Sequence, residues 1–148
     1  MTYNLHIVIR FELERALLSE DLRAAELPGA WAERYQHYLG ITPDSDRDGC
    51  LQDIHWSEGL IGYFPTYTLG NVYAAQLFEA AERAVGPLED SFAAGEFRAL
   101  HGWLGDNVHR HGKRYPAVAL VERSTGSPPD TSALIASLSH RYRAHTTT

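Results

Sequence analysis

The sequence has a single cysteine, no excess of basic residues and no long apolar run. Its 148 residues contain 13 Lys and Arg against 19 Asp and Glu, a formal net charge of −6. Cys50 cannot form an internal disulfide, and we expect it to be a buried small hydrophobe. The acidic balance argues against a nucleic-acid partner, because phosphate binding needs a concentrated basic surface. No stretch approaches the ~18 apolar residues of a membrane span, so we expect no membrane insertion.

The length and composition predict one soluble globular domain over residues 1–148. An apolar content of 44% and a charged content of 22% are typical of that class, and the length fits a single core. The N-terminal stretch "MTYNLHIVIRFELERALL" has acidic residues after a short apolar segment and no basic leader, unlike a signal peptide. We therefore expect a cytoplasmic protein.

Apolar residues recur at spacings of three and four along most of the chain, which predicts an all-α fold of about six helices. The predicted helices cover Tyr3–Leu18, residues 28–40, Pro65–Val85, and residues 96–112, 117–123 and 131–143. Gly40 can adopt the left-handed conformation of a C-terminal cap. The polar segment 41–49 contains a proline and is predicted to be a loop. No period-two pattern predicts a strand.

The acidic run "DSDRDG" has the start of a calcium loop but not its end. Asp44, Asp46 and Asp48 occupy positions one, three and five, and Gly49 occupies the sixth. Position twelve must be a bidentate Glu, yet the count reaches His55. We therefore interpret the run as a solvated acidic loop.

No compact zinc or nucleophile motif is present in the sequence. None of the eight His residues is followed by Glu, so HExxH is missing. His109 and His111 are two apart and would point to different faces of a helix, and His101 lacks a third ligand nearby. There is no GxSxG elbow, and Cys50 has no identified base. No metal site is predicted within this chain.

The stretch "GCLQDIHWSEGLIGYFPTYTLGNVYAAQ" holds the remaining chemistry. Tyr63 and Tyr67 follow His55 by eight and twelve residues, so an imidazole and two phenols could share a cleft. Such groups donate hydrogen bonds to an oxyanion or a peptide backbone, but they include no nucleophile. On composition alone, the alternative that the two tyrosines are core aromatics stays open.

The same stretch resembles the zinc carboxypeptidases of the thermostable carboxypeptidase Taq family, in which GxxQDxHW is a signature motif. The motif is present here as Gly49, Gln52, Asp53, His55 and Trp56. The segments "TYNLHIVIRFELE", "GYFPTYTLGNVYAAQ", "NVHRHGKRY" and "STGSP" extend the resemblance over nearly the whole chain. The resemblance implies an all-helical fold, a homodimer, and removal of C-terminal residues from peptides with zinc held by HExxH and a downstream Glu.

The resemblance also implies roles for five residues. His55 and Tyr63 would contact the scissile carbonyl or its oxyanion, Tyr67 would line the same cleft, and Gln52 and Asp53 would orient that wall. The zinc helix, the third ligand and an IRxxAD motif of the family would precede Met1. We therefore expect the C-terminal portion of such an enzyme, with no cofactor of its own and inactive alone, and zinc only from a partner that carries HExxH.

Three functions are consistent with this interpretation. The chain would complete a split carboxypeptidase, act as a non-catalytic peptide-binding or interaction module, or be a degenerate fragment. The expected partners are a second copy of the chain or a zinc-bearing N-terminal polypeptide, with a peptide as the ligand considered. Helices that pack against the rest of a full enzyme would expose apolar surface here, chiefly the first helix and the helix Pro65–Val85.

Overall fold

The fold is all-α, as predicted, in a computed structural model that describes the backbone of residues 2–146 and the side chains of residues 2–143. The described part contains no strand. The helices are α1 (Tyr3–Leu18), α2 (Leu27–Leu39), α3 (Pro65–Val85), α4 (Glu89–Ala93), α5 (Arg98–Asn107), α6 (Ala117–Thr125) and α7 (Ser132–Thr146). Three 3-10 turns cover Ala24–Glu26, Cys50–Gln52 and His109–His111.

The helix boundaries follow local sequence signals. Pro28 lies in the first turn of α2, where its missing N–H costs no hydrogen bond. Gly40 ends α2 with φ +70°, and its N–H donates to the Gln36 carbonyl, which confirms the predicted left-handed cap. The segment 96–112 is not one helix, because α5 stops at Asn107 and a separate 3-10 turn follows. The five-residue α4 was not predicted, since it is too short to show a helical period.

The chain divides into two compact units between Leu69 and Gly70. The single domain expected from length therefore stays a prediction. In the first unit, buried side chains of α1 and α2 meet Cys50 to form a core. The rings of Trp31 and Tyr35 stack in this core at a centroid distance of 5.0 Å. Cys50 is buried as expected, and burial together with nearby Asp46 raises the pKa of its thiol.

The second unit has its own buried positions, which are Val72, Ala80, Ala81, Leu88 and Val121. Gln76 of α3 is also buried, and its side-chain amide bonds the turn that follows α6. Among the described residues, no helix combines the length and the hydropathy that a membrane span requires.

Candidate functional site

A cleft of about 450 Å³ opens on the first unit beside α1. One wall is a single face of α1, because each of its lining residues lies three or four positions from another one. The other wall comes from the segment after the 3-10 turn Cys50–Gln52 and from the start of α3. The lining residues are Tyr3, His6, Ile7 and Arg10 on α1, and Asp53, His55, Phe64 and Tyr67 opposite.

A partly buried ion pair joins the two walls. Arg10 Nε donates to Asp53 Oδ2 at 2.5 Å, and the Asp53 side chain is only 5% exposed. Its other oxygen, Oδ1, accepts the His55 backbone N–H at 3.0 Å and lies 2.8 Å from His55 Nδ1. Burial alone raises the pKa of Asp53, but the bonds from Arg10 and His55 outweigh burial and lower that pKa below its usual value. Asp53 is therefore an ionised acceptor.

The ionised Asp53 determines the tautomer of His55. A carboxylate can only accept, so Nδ1 of His55 carries the hydrogen that lies between them. In the neutral imidazole, Nε2 is then the acceptor, and it lies 3.0 Å from the Tyr67 hydroxyl. Burial, followed by nearby Tyr63, Tyr3 and Asp53, raises the pKa of Tyr67, so that phenol keeps its proton. The hydrogen-bond chain thus runs Arg10, Asp53, His55, Tyr67.

Aromatic rings hold the His55 imidazole on its remaining sides. Phe64 is fully buried, with its ring centroid 4.9 Å from that of His55. Tyr63 lies tilted against the same imidazole at 5.9 Å and edge-on to Tyr67 at 5.3 Å. Tyr63 is 43% exposed, so its phenol is open to a ligand.

Arg10 also donates hydrogen bonds to a side chain of α2 and to the backbone of α1. Its Nη1 donates to the Tyr35 hydroxyl at 2.8 Å and to the His6 carbonyl at 3.0 Å. The guanidinium lies 4.8 Å from the centroid of the Trp31 ring, within the range of a cation–π contact. These contacts thus fix the position of the Arg10 guanidinium in the absence of a ligand.

Glu14, one helical turn after Arg10, anchors the turn that follows His55. Its carboxylate is 3% exposed and accepts hydrogen bonds from Trp56 Nε1 at 3.0 Å and from the Gly62 backbone N–H at 2.8 Å. Gly62 has φ +76°, which favours glycine at this place. The turn that leads to Tyr63 is therefore bonded to α1 at two points.

The structure brings together three of the five predicted site residues in the lining, namely Asp53, His55 and Tyr67. Tyr63 contacts the His55 ring without lining the cleft, and Gln52 is exposed at the end of its 3-10 turn. The catalytic and orienting roles assigned to these five residues stay predictions.

The sequence reasoning missed the polar residues on α1. His6, Arg10 and Glu14 recur every fourth residue along a helix that is otherwise largely apolar on its packed side. That polar stripe beside an apolar face was the available signal, because buried charged side chains need partners.

The described side chains do not fit a metal ion. No group of three or more His, Cys, Asp or Glu residues among them could hold one. His101 and His109 approach each other, with ring centroids 6.4 Å apart, but no third ligand joins them. The zinc implied by the family resemblance therefore has no donor set in the part of the chain that the structure describes.

Comparison with known proteins places these features in context. A family model for carboxypeptidase Taq (M32) metallopeptidases matches residues 1–142. Thermostable carboxypeptidase 1 of Thermus thermophilus is 50% identical over 144 residues, covering 97% of this chain and 28% of the relative. Carboxypeptidase 1 of Bacillus subtilis is 42% identical over 142 residues, covering 96% of this chain and 28% of the relative.

Solved structures agree with the sequence matches. The M32 carboxypeptidase from Deinococcus radiodurans R1 superposes with a TM-score of 0.92 at 46% identity, over 96% of this chain and 29% of that one. Trypanosoma cruzi metallocarboxypeptidase 1 gives 0.92 at 35% identity, over 95% of this chain and 30% of that one. This chain spans about 28% of the length of its curated relatives and matches their C-terminal portion.

Proposed function

Because this chain belongs to the carboxypeptidase Taq (M32) family of metallopeptidases, we propose that its first unit forms the substrate-side wall of a carboxypeptidase cleft. His55 and Tyr63 contact the scissile carbonyl of a peptide or its oxyanion, Tyr67 lines the same cleft, and Asp53 orients His55. Gln52 contributes to this wall from its exposed position.

The observation that supports the proposal best is the hydrogen-bond chain from Arg10 through Asp53 and His55 to Tyr67. A ligand-binding imidazole needs a fixed orientation and a fixed tautomer, and a hydrogen bond to its other nitrogen provides both. The exposed phenol of Tyr63 beside this imidazole supplies a donor that a peptide oxygen can reach.

We propose that zinc and the attacking water come from a partner polypeptide that carries HExxH, since the described side chains of this chain do not fit a metal. Enzymes typically lower reaction barriers by about 8 to 23 kcal/mol. One oxyanion donor contributes only about 3 to 4 kcal/mol. The donors described here are therefore too few for peptide hydrolysis at a useful rate by this chain alone.

Incubation of the purified chain with zinc and a dipeptide that is blocked only at its N-terminus tests this proposal. We expect no release of the C-terminal residue from the chain alone. Release is expected when a polypeptide carrying the HExxH segment of a related enzyme is added, and His55→Ala should abolish it. Release by the rigorously purified chain alone, abolished by a chelator, would contradict the proposal.

A second candidate function is a non-catalytic peptide-binding or interaction module. The same cleft supports it, because the exposed ring of Tyr3 provides apolar surface beside a few fixed donors, as in many ligand sites. Peptide binding without complementation by an HExxH polypeptide would favour this candidate. A degenerate fragment would show neither binding nor complementation.

We also propose that the first unit is covered by a partner, either a second copy or a zinc-bearing polypeptide. The segment from the Cys50–Gln52 turn to the start of α3 exposes a run of large apolar side chains, which soluble monomers seldom expose together. These are Leu51, Ile54, Leu60, Ile61 and Tyr63. Sedimentation of the purified chain as a monomer at micromolar concentration would argue against a homodimer. We also propose the cytoplasmic location that the sequence predicts.

A further inference from the structure

His6 of α1 shares a hydrogen bond with Tyr35 of α2. The Tyr35 hydroxyl lies 3.1 Å from His6 Nδ1, and it also accepts a hydrogen bond from Arg10 Nη1 at 2.8 Å. Tyr35 is only 7% exposed, and its ring packs edge-on against the His6 imidazole at 5.4 Å. The direction of this hydrogen bond determines which nitrogen of His6 carries the proton.

Among the described residues, one atom can accept the hydroxyl hydrogen of Tyr35, and this atom is His6 Nδ1. Buried hydroxyl groups nearly always donate, and Arg10, which has only donors, occupies a lone pair of the Tyr35 oxygen. Tyr35 therefore donates to Nδ1, and the neutral imidazole carries its hydrogen on Nε2. Burial, and then the nearby Arg10 charge, lowers the pKa of His6, which agrees with a neutral ring.

The Nε2–H group of His6 is left for a ligand. The only buried side-chain nitrogen or oxygen without a hydrogen bond among the described residues is Trp31 Nε1, so solvent reaches Nε2 of His6. His6 lines the cleft together with His55. Arg10 thus fixes two imidazoles in opposite tautomers, His55 through Asp53 and His6 through Tyr35.

We infer that His6 is a further peptide-binding residue, which donates Nε2–H to a backbone carbonyl oxygen of the ligand in this cleft. The charges of the lining favour a neutral acceptor, because Arg10 and Asp53 are its only charged side chains and they pair with each other. Tyr3, which is 51% exposed, adds ring surface suited to a neighbouring apolar side chain. The inference rests on the proposed peptide-binding function of the first unit.

Nuclear magnetic resonance of the 15N-labelled full chain tests the tautomers. Near neutral pH, the ring correlations of His6 should show the Nε2–H form, and those of His55 the Nδ1–H form. Tyr35→Phe should change the His6 pattern and leave the Nδ1–H form of His55 in place, because the Asp53 bond is untouched. An Nδ1–H form of His6 in the unchanged chain would overturn the inference.

Titration with an N-acetylated, C-amidated dipeptide of two apolar residues tests the contact. We expect the His6 Nε2 resonance to shift and His6→Phe to weaken binding about three- to tenfold, the effect of one hydrogen bond. His6→Gln returns an amide N–H near the Nε2 position and should restore part of the affinity. His37→Phe, at an exposed histidine of α2, is the matched control and should bind as the unchanged chain does.

The outcomes separate the inference from the proposed function. Loss of binding in His55→Ala with full binding in His6→Phe would refute only the role of His6. A second refuting outcome is that the same dipeptide with a free C-terminus binds more tightly and in a salt-sensitive way, and that only this peptide shifts the His6 resonance. The group that binds His6 would then be a carboxylate and not a backbone carbonyl. No binding of any peptide by the unchanged chain would refute the proposed function, and with it the role of His6.

Discussion

Arg10 Nε lies 2.5 Å from Asp53 Oδ2, and this ion pair joins two residues 43 positions apart in the sequence. The pair fixes α1 against the segment that carries His55, and it also keeps Asp53 in the acceptor state that sets the His55 tautomer. One contact therefore serves both the packing of the first unit and the chemistry of its cleft.

Asp53→Asn is expected to lower the free energy of unfolding by about 2 kcal/mol, because it removes the charge-assisted hydrogen bond of a partly buried ion pair and leaves Arg10 without its counter-ion. Urea denaturation measures this loss. The matched control is Glu26→Gln, which breaks the exposed pair with Arg23 and should leave stability nearly unchanged. A loss for Asp53→Asn no greater than that of the control would contradict an energetic coupling between Arg10 and Asp53.

The stability of the chain is expected to depend on Asp53 at acidic pH. The pKa of Asp53 is lower in the folded chain than in the unfolded chain, where it is about 3.9. Its contribution is therefore complete above about pH 5 and is lost progressively as the pH falls through the unfolded value and then the lowered folded value. The free energy of unfolding, measured from neutral pH downward, should fall less steeply in Asp53→Asn. Parallel curves for the two proteins would show that Asp53 has an unshifted pKa.

The sequence predicted the helices of the first unit better than its polar interior. The bounds of α1 and α3 coincide with the predicted ones, because apolar spacing and the Pro65 start are local signals. The spacing of His55 and Tyr67 allowed the two side chains to share a cleft, and the family resemblance favoured that arrangement. The pairing of Arg10 with Asp53 had no local signal, since helical spacing shows which residues share a face but not which distant residue that face meets.

Glu14→Gln is expected to destabilise the turn that leads to Tyr63. The carboxylate accepts from both Trp56 Nε1 and Gly62 N, whereas an amide would place its NH₂ group against one of these donors. We expect a loss of about 2 kcal/mol in the free energy of unfolding and faster hydrogen exchange at the Gly62 amide. Glu79→Gln, at a glutamate that is 57% exposed, is the reference. Unchanged exchange at Gly62 would exclude Glu14 as the anchor of this turn.

Gln76→Glu is expected to make the second unit pH-sensitive. Gln76 Nε2 donates to the Ser127 and Pro128 carbonyls, each at 3.2 Å, and Oε1 accepts from the Asp130 N–H at 3.2 Å. A buried carboxylate would face those carbonyls, so its folded pKa would be raised. Stability should be about 3 kcal/mol lower at neutral pH and partly recovered below the unfolded pKa of about 4.3, where the acid again donates. Gln76→Leu, measured by the same denaturation, should lose stability without that recovery.

Tyr63→Phe and Tyr67→Phe are expected to separate ligand binding from stability. The Tyr67 hydroxyl donates to His55 Nε2 at 3.0 Å, so Tyr67→Phe removes an internal hydrogen bond and should lower the free energy of unfolding. Tyr63 is 43% exposed and contacts His55 through its ring, which phenylalanine retains. Tyr63→Phe should therefore unfold as the unchanged chain does. It should bind the N-acetylated, C-amidated dipeptide about three- to tenfold more weakly, because it lacks one donor to the ligand. If Tyr63→Phe binds the dipeptide normally while Tyr67→Phe does not, the donor to the ligand is Tyr67, which would release His55 Nε2 when the ligand binds.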